Sequence, residues 1–302
     1  RSMTAFSPNH PNANYALHSG HILSGRPSMG AWASYGLGTE AEDLPSYVVI
    51  HGGQVPSGGM QMFGSGFLPS THQPSTFLSS SPVLQNIVPR EKELSYQRKK
   101  LHLLAEIDGS LAEEASHAEA IQSAVQNYEM AYRMQTSVPE LMDLTGESDA
   151  TFELYGEEAK SAGSFAACCL NARRLAERGV RNIQIFHRGW DAHGSLPKEH
   201  ESQCKDIDQA SAALITDLKQ RGMLDETLVV WGGEFGRTTY SQGGSGEAAK
   251  GRDHHPRCFT YWMAGGGIQG GMIYGDTDDF SYNITDRPVH VHDWQATVLH
   301  LL

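Results

Sequence analysis

The chain has 302 residues, enough for one large domain or two small ones; 39% are hydrophobic, which supports a real core, while 32 glycines and 13 prolines imply many loops. A formal net charge of −12 argues against a nucleic-acid or anionic-membrane surface, since those need clustered Lys and Arg. No apolar run is long enough to cross a bilayer and no signal peptide is visible, while Arg1-Ser2-Met3 and His300-Leu301-Leu302 both read as cuts within a longer chain.

In chain order, the Pro- and Asn-rich stretch Ser7-Pro8-Asn9-His10-Pro11-Asn12 reads as a loop leading into a short helix from Asn14 to Ser19, closed by Gly20. Ser28 is placed to cap a second helix that carries Trp32 and Tyr35 on one face. Tyr47-Val48-Val49-Ile50 predicts a strand. Residues 52–89 hold Gly, Ser and Pro with little periodicity and read as a long excursion, a lid or an interface loop. Residues 90–135 are a helical insertion: Leu101, Leu104, Ala105 and Asp108 mark one helix, and Ile121, Val125, Tyr128 and Tyr132 another. Met130 and Met134 read as core or interface, and Pro139 to Glu158 as an acidic loop.

A regular alternation begins at Ser164. Phe165 to Arg178 predicts a helix closed by Gly179, Asn182 to Phe186 a strand, Ile207 to Arg221 a helix closed by Gly222, Thr227 to Trp231 a strand, Cys258 to Met263 a strand, and residues 293–302 a last helix with Asp293 as cap and Trp294, Val298 and Leu301 inward. Strand–helix–strand order with short links predicts an α/β fold, with a mostly parallel central sheet and helices on both faces. The expected domain count is one, spanning residues 1–302. The four cysteines form no framework: Cys168 and Cys169 are neighbours on a helix, where side chains diverge, and Cys204 and Cys258 are isolated, so all four read as small buried hydrophobes.

Three loops carry groups suited to chemistry. After the strand 182–186 comes His187-Arg188-Gly189-Trp190-Asp191-Ala192-His193, where Asp191 and His193 are two apart and point the same way in an extended segment, as zinc-type coordination wants. Glu234 follows the strand 227–231 across two glycines, with Arg237 three residues on. Arg252-Asp253-His254-His255-Pro256 precedes the next strand; adjacent histidines diverge, so one can bind metal while the other packs or orients a partner. Each motif alone is common. Their placement at the ends of neighbouring predicted strands is how open α/β sheets build ligand sites.

Gly189-Trp190-Asp191-Ala192-His193, Gly233-Glu234-Phe235-Gly236-Arg237-Thr238, Gly251-Arg252-Asp253-His254-His255 and His290-Val291-His292-Asp293-Trp294-Gln295-Ala296-Thr297 resemble a bacterial family of exported proteins of unknown function, placed with the alkaline phosphatase and sulfatase superfamily. The likeness extends to Ser7-Pro8-Asn9-His10-Pro11 and Gly25-Arg26-Pro27-Ser28-Met29-Gly30.

The resemblance implies an alkaline-phosphatase-like three-layer sandwich with divalent metal at the strand C-terminal ends. Carried over, the ligands are Asp191, His193, Glu234 and His254 or His255, holding zinc, with calcium, manganese or magnesium as alternatives. The implied activity is hydrolysis of phosphate or sulfate esters, with paired cations about 3.5–4 Å apart stabilising the entering and leaving oxygens. Arg237 and Arg252 would neutralise the charge of an anionic small-molecule or polysaccharide ester. The family's exported character implies a periplasmic or secreted location. The superfamily's opening strand, with its aspartate ligand, has no counterpart after Arg1, and the usual nucleophile position falls near His10, which would be a ligand or a histidine nucleophile; Ser7 would serve only with a shifted register. Two other readings stand beside this one: a non-catalytic binding or scaffold protein on the same fold, and a metalloenzyme acting on carbohydrate or peptide bonds through an attacking water.

Overall fold

The computed structural model describes residues 1–51, 55–78, 83–84, 87–89, 93–114 and 118–302. It is a mixed α/β chain. A two-residue strand, β1 (Met3–Thr4), leads into α1 (His10–Ser19), which Gly20 closes in the left-handed conformation at φ 73°. The helix begins four residues earlier than Asn14. Pro11 sits in its first turn, where no intrahelical N–H is needed, so the proline read as loop is a helix start. That extension puts His10 on the first turn of α1. In α2 (Met29–Leu37) the Ser28 hydroxyl accepts from the Ala31 N–H at 3.2 Å, as the capping pattern predicts. Trp32 and Tyr35 do share a face, with ring centroids 6.1 Å apart, but that face is exposed.

Strand β2 (Tyr47–His51) is buried at every position, as a strand covered on both faces should be. Strand β3 (Ser75–Leu78) pairs parallel to it, inside the segment read as a loop. Its Ser-Thr start hides it: only Phe77 is fully buried. Of the 52–89 excursion and the 90–135 helical insertion, residues 52–54, 79–82, 85–86, 90–92 and 115–117 lie outside the described set.

Helices α3 (Leu94–Glu114) and α4 (Ala118–Met142) pack on each other. Helix α4 runs through Pro139, against the expectation of a loop there. Met134, Val138 and Leu141 bury themselves in the main core and offset the hydrogen bond that proline removes. The Arg174 guanidinium donates to the carbonyls of Leu141, Glu140 and Asp143, satisfying the helix end. A short helix, α5 (Asp149–Tyr155), capped by the Ser148 hydroxyl, replaces the expected acidic loop.

Helix α6 (Phe165–Glu177) has the Ser164 cap and the positive-φ Gly179 that its sequence calls for. Strand β4 (Asn182–Phe186) has the predicted bounds and pairs parallel with β2, Tyr47 opposite Asn182 and His51 opposite Phe186. Helix α7 (Leu196–Gln220) starts eleven residues before Ile207, with Pro197 in its first turn; the polar run 198–206 masked the helical pattern. Between α6 and α7 the Arg173 guanidinium, 2% exposed, donates to Glu147 at 2.8 Å and Glu177 at 2.6 Å, while Asp217 accepts from Tyr155 Oη at 3.1 Å and Arg221 Nε at 2.7 Å. Buried charges require such pairing.

The second half departs from the parallel expectation. Strand β5 (Val229–Trp231) is followed by the short β6 (Gly236–Arg237) and β7 (His254–His255), which pair antiparallel; β5 itself pairs antiparallel with β8 (Trp262–Ala264). The predicted strand 258–263 is divided, because Phe259 exchanges backbone hydrogen bonds with Met3 while only its end joins β5. Strands β9 (Asp276–Thr277) and β10 (Ile284–Asp286) form an antiparallel pair, and β11 (Val289–His290) runs parallel to β1. The closing helix α8 (Val291–Leu301) is capped by His290, and Asp293 supplies the reciprocal bond to the His290 N–H at 3.0 Å; Trp294 and Val298 point inward.

Among the described residues the sheet is therefore split: β3-β2-β4 on one side, β5-β8 on the other. Both β4 and β5 line a cavity of about 1520 Å³ whose mouth reaches His10, Asp191 and Glu234. No helix among the described residues is long and apolar enough to cross a membrane.

Candidate functional site

The site forms where the segments after β4, after β5 and around β7 meet the first turn of α1. Two glycines permit the meeting. At Gly251 a Cβ would fall 1.8 Å from the His193 carbonyl oxygen, so the third loop can lie against the first only because that side chain is absent. The Arg252 N–H then donates to Ala192 O at 3.0 Å. At Gly236 a Cβ would fall 2.3 Å from Cys258 O.

The β6–β7 ladder decides which histidine enters. Its register sets Arg237 opposite His254 and Gly236 opposite His255. Successive strand residues face opposite ways, so only one of the two imidazoles can turn toward Asp191. His254 does. His255 faces away, stacked on Tyr282 at 4.6 Å between centroids, with its Nε2–H donating to Tyr282 O at 2.7 Å.

Asp191 is the hub. Its Oδ1 lies 2.9 Å from His193 Nε2 and 3.0 Å from His254 Nε2, and accepts from the Arg237 guanidinium at 2.6 Å. Its Oδ2 lies 3.1 Å from His10 Nε2. On its other side His10 Nδ1 makes a short hydrogen bond with Glu234. Burial would raise the Asp191 carboxyl, but hydrogen bonds from His254 and Arg237 and the Arg237 charge hold it well below the usual carboxylate range. Glu234 holds the His10 imidazole above its ordinary value against the opposing effect of burial.

His254 Nδ1–H donates to Pro8 O at 2.6 Å, which leaves Nε2 with a lone pair in the neutral ring. Nε2 lies 3.0 Å from an Asp191 oxygen and from the Nε2 of His193, so it donates to Asp191 when the ring is protonated and offers its lone pair to a cation when it is neutral. Glu234 takes the Nδ1–H of His10, and His10 Nε2 is buried without an aligned hydrogen-bond partner, as is His193 Nδ1. His10, Asp191 and His254 can each offer one ligand atom within 4.8 Å of the others. Two imidazole nitrogens and a carboxylate oxygen so placed could hold a divalent cation of the zinc type. His193 adjoins this set through Asp191 and His254, and Glu234 through His10.

The structure thus brings together His10, Asp191, His193, Glu234, Arg237 and His254, and leaves His255 outside. Arg252 contributes backbone contacts, while its guanidinium donates to Gly251 O at 2.8 Å. The Ser7 hydroxyl accepts from the Asn9 N–H at 3.1 Å. Two participants escaped sequence reasoning. Phe235 packs against the rings of His10 and His254 at 4.7 and 4.4 Å, and the Pro8 carbonyl fixes the His254 tautomer. Phe235 sits inside the Gly-Glu-Phe-Gly-Arg motif, where an aromatic residue between glycines was a usable signal. The Pro8 carbonyl carried none, since a backbone contact 246 residues away leaves no trace in sequence.

No curated protein and no solved structure matches the chain. The family described as Protein of unknown function (DUF1501) matches residues 1–302, and the chain belongs to that family.

Proposed function

We propose that the chain is a metal-dependent hydrolase of phosphate or sulfate esters, built on an alkaline-phosphatase-like three-layer sandwich. The observation that carries this is the convergence of His10, Asp191 and His254, each offering one ligand atom within 4.8 Å of the others, with His10 Nε2 buried and without an aligned hydrogen-bond partner. These three would hold the cation, with His193 and Glu234 alongside. A bound divalent cation supplies positive charge for the developing oxyanion and the leaving oxygen.

The protein's own groups have definite tasks. Pro8 O orients His254 through Nδ1, and Glu234 orients His10 in the same way. Arg237 is the cation beside Asp191 that an anionic ester would meet. Among the described residues no hydroxyl or thiol side chain bonds His10, Asp191 or His254, so the attacking oxygen would come from water, and the Glu234 carboxylate, already beside the His10 ring, would take its proton. Zinc fits the nitrogen-rich donor set best. Family resemblance alone supports a periplasmic or secreted location.

A second reading has its own support. The Arg237 guanidinium already neutralises Asp191 at 2.6 Å, so the cluster could persist as a structural ion-pair network in a scaffold protein. Elemental analysis of the purified protein, with turnover of aryl phosphate and aryl sulfate, separates the two. The hydrolase reading expects near-stoichiometric divalent metal and an activity lost in His254→Ala and Asp191→Asn. Absence of metal and of turnover from the parent protein favours the scaffold.

A further inference from the structure

The connection between β5 and β6, Gly232 to Phe235, carries Glu234 and so decides where His10 is held. Outside the strand ladders, one hydrogen bond reaches its backbone among the described residues: the Tyr261 hydroxyl donates to Gly233 O at 2.7 Å. The same ring fixes the preceding residue. A Cβ on Gly232 would fall 1.8 Å from Tyr261 Cε1 and 1.9 Å from its Cδ1, so the ring lies against bare backbone there. At the far end of the connection, Gly236 packs on the carbonyl of Cys258, in the same short stretch as Tyr261. Tyr261 is itself set in the core around α8. Its ring stands edge-on to Trp294 at 5.1 Å and to Phe259 at 5.7 Å between centroids, against the cluster of Met3 and Val291. The neighbouring loops are tied by backbone bonds, Arg252 N–H to Ala192 O at 3.0 Å and Thr238 N–H to Asp253 O at 2.9 Å. The Glu234 connection has a tyrosine instead.

We infer that Tyr261 is a positioning residue for Glu234: its hydroxyl fixes Gly233, and through it the carboxylate that orients His10. Among the described residues the Glu234 side chain has His10 as its only hydrogen-bond partner, so the course of the backbone sets its reach. A phenylalanine would fill the same space and keep both edge-on ring contacts, so packing does not account for the hydroxyl. In a purely structural role the hydroxyl would only satisfy itself at the nearest carbonyl, and Glu234 would be indifferent to its loss. What the anchor does to the connection stands by itself. What it does to a bound cation rests on the hydrolase reading.

Tyr261→Phe tests both, because it removes one oxygen and keeps the ring. In amide nitrogen relaxation the order parameters of Gly233, Glu234 and Phe235 should fall from about 0.85 toward about 0.6, while those of β2 hold. Unchanged values at these three amides overturn the inference, whether or not the protein binds metal. Zinc calorimetry supplies a second arm, as a cycle with Glu234→Ala. Losing an outer-shell partner of a metal ligand weakens binding about 10- to 100-fold, and Tyr261 stands one link further out, so Tyr261→Phe should weaken zinc about 3- to 10-fold. In the Glu234→Ala background the same substitution should change affinity by less than about 2-fold, since its route is gone. An equal loss in both backgrounds would show a general structural effect and overturn the inference. A parent protein that takes no zinc sinks the hydrolase reading alone and leaves the relaxation result to decide.

Discussion

Gly251→Ala is the sharpest perturbation that the site offers. The added Cβ would lie 1.8 Å from His193 O, 1.9 Å from its carbonyl carbon and 2.5 Å from Gly194 N. All three are backbone atoms, so no side chain can swing aside. Ordinary contact begins near 3.4 Å, so the two loops must part by about 1.6 Å. One loop carries Asp191 and His193, and the other leads into His254. A shift of that size would stretch the 3.0 Å approach of His254 Nε2 to Asp191 Oδ1 beyond shared coordination. Overpacking of this kind costs about 1–3 kcal/mol of stability, and for a chain this long each kcal/mol lowers Tm by about 2–4 °C. A misplacement of about 1 Å is worth on the order of 100-fold in a preorganised site. Chelator competition should therefore show zinc affinity falling about 10- to 100-fold, and calorimetry on the metal-free protein a lowered Tm. Gly36→Ala is the control: a Cβ there meets nothing within 4 Å in α2, so stability should hold or rise by up to about 1 kcal/mol. Parent-like Tm and zinc affinity in Gly251→Ala would show that the approach of the two loops does not depend on the missing side chain.

Arg173→Ala should cost about 3–5 kcal/mol in urea unfolding, because Glu147 would lose a partner in a buried site; a loss under 1 kcal/mol would show that the network is not a net requirement. His254→Ala should abolish zinc binding, whereas His255→Phe should keep it, with only a modest Tm loss from the forfeited Tyr282 hydrogen bond; equal effects on zinc would mean that the β6–β7 register is different in solution. Burial lowers the His18 imidazole below its usual 6.5, and its neutral form is fixed by Nδ1–H donating to Asn14 O and the Gln184 amide donating to Nε2. With the folded value depressed, the unfolded chain binds the extra proton first. The contribution of His18 is thus complete above about pH 6.5 and is lost as pH falls below it, at up to 1.4 kcal/mol per pH unit. In His18→Gln, unfolding free energy measured between pH 7 and 5 should fall less steeply, by about one proton.

Sequence alone located the elements whose signal is local. Strand β4 has the predicted bounds because five alternating residues sit between a glycine-closed helix and a glycine-bearing loop. Helix α6 carries its own cap and stop. The misses share a different cause. The start of α7 is polar, β3 opens on Ser-Thr, and α4 crosses a proline because tertiary burial of Val138 and Leu141 outweighs local preference. The predicted strand 258–263 is divided where Phe259 bonds to Met3, a contact no window of sequence contains. At the site, Asp191, His193, Glu234, Arg237 and His254 were legible as a set because each lies near the end of a strand predicted from sequence, although Arg237 and His254 themselves form the short β6 and β7. Choosing between His254 and His255 required the β6–β7 pairing, and the role of Pro8 required the fold itself.

Cys168 and Cys169 are adjacent, yet they belong to different cores: Cys168 packs with Val48, Ile50 and Val138, and Cys169 with Tyr155, Leu170 and Ala210. Both are buried, and neither is in a disulfide among the described residues. Two neighbouring atoms thus act as separate clocks. Alkylation rates at the two sulfurs, resolved by fragmentation of one peptide, would time the opening of each half of the interior independently and reveal whether the halves breathe together or apart.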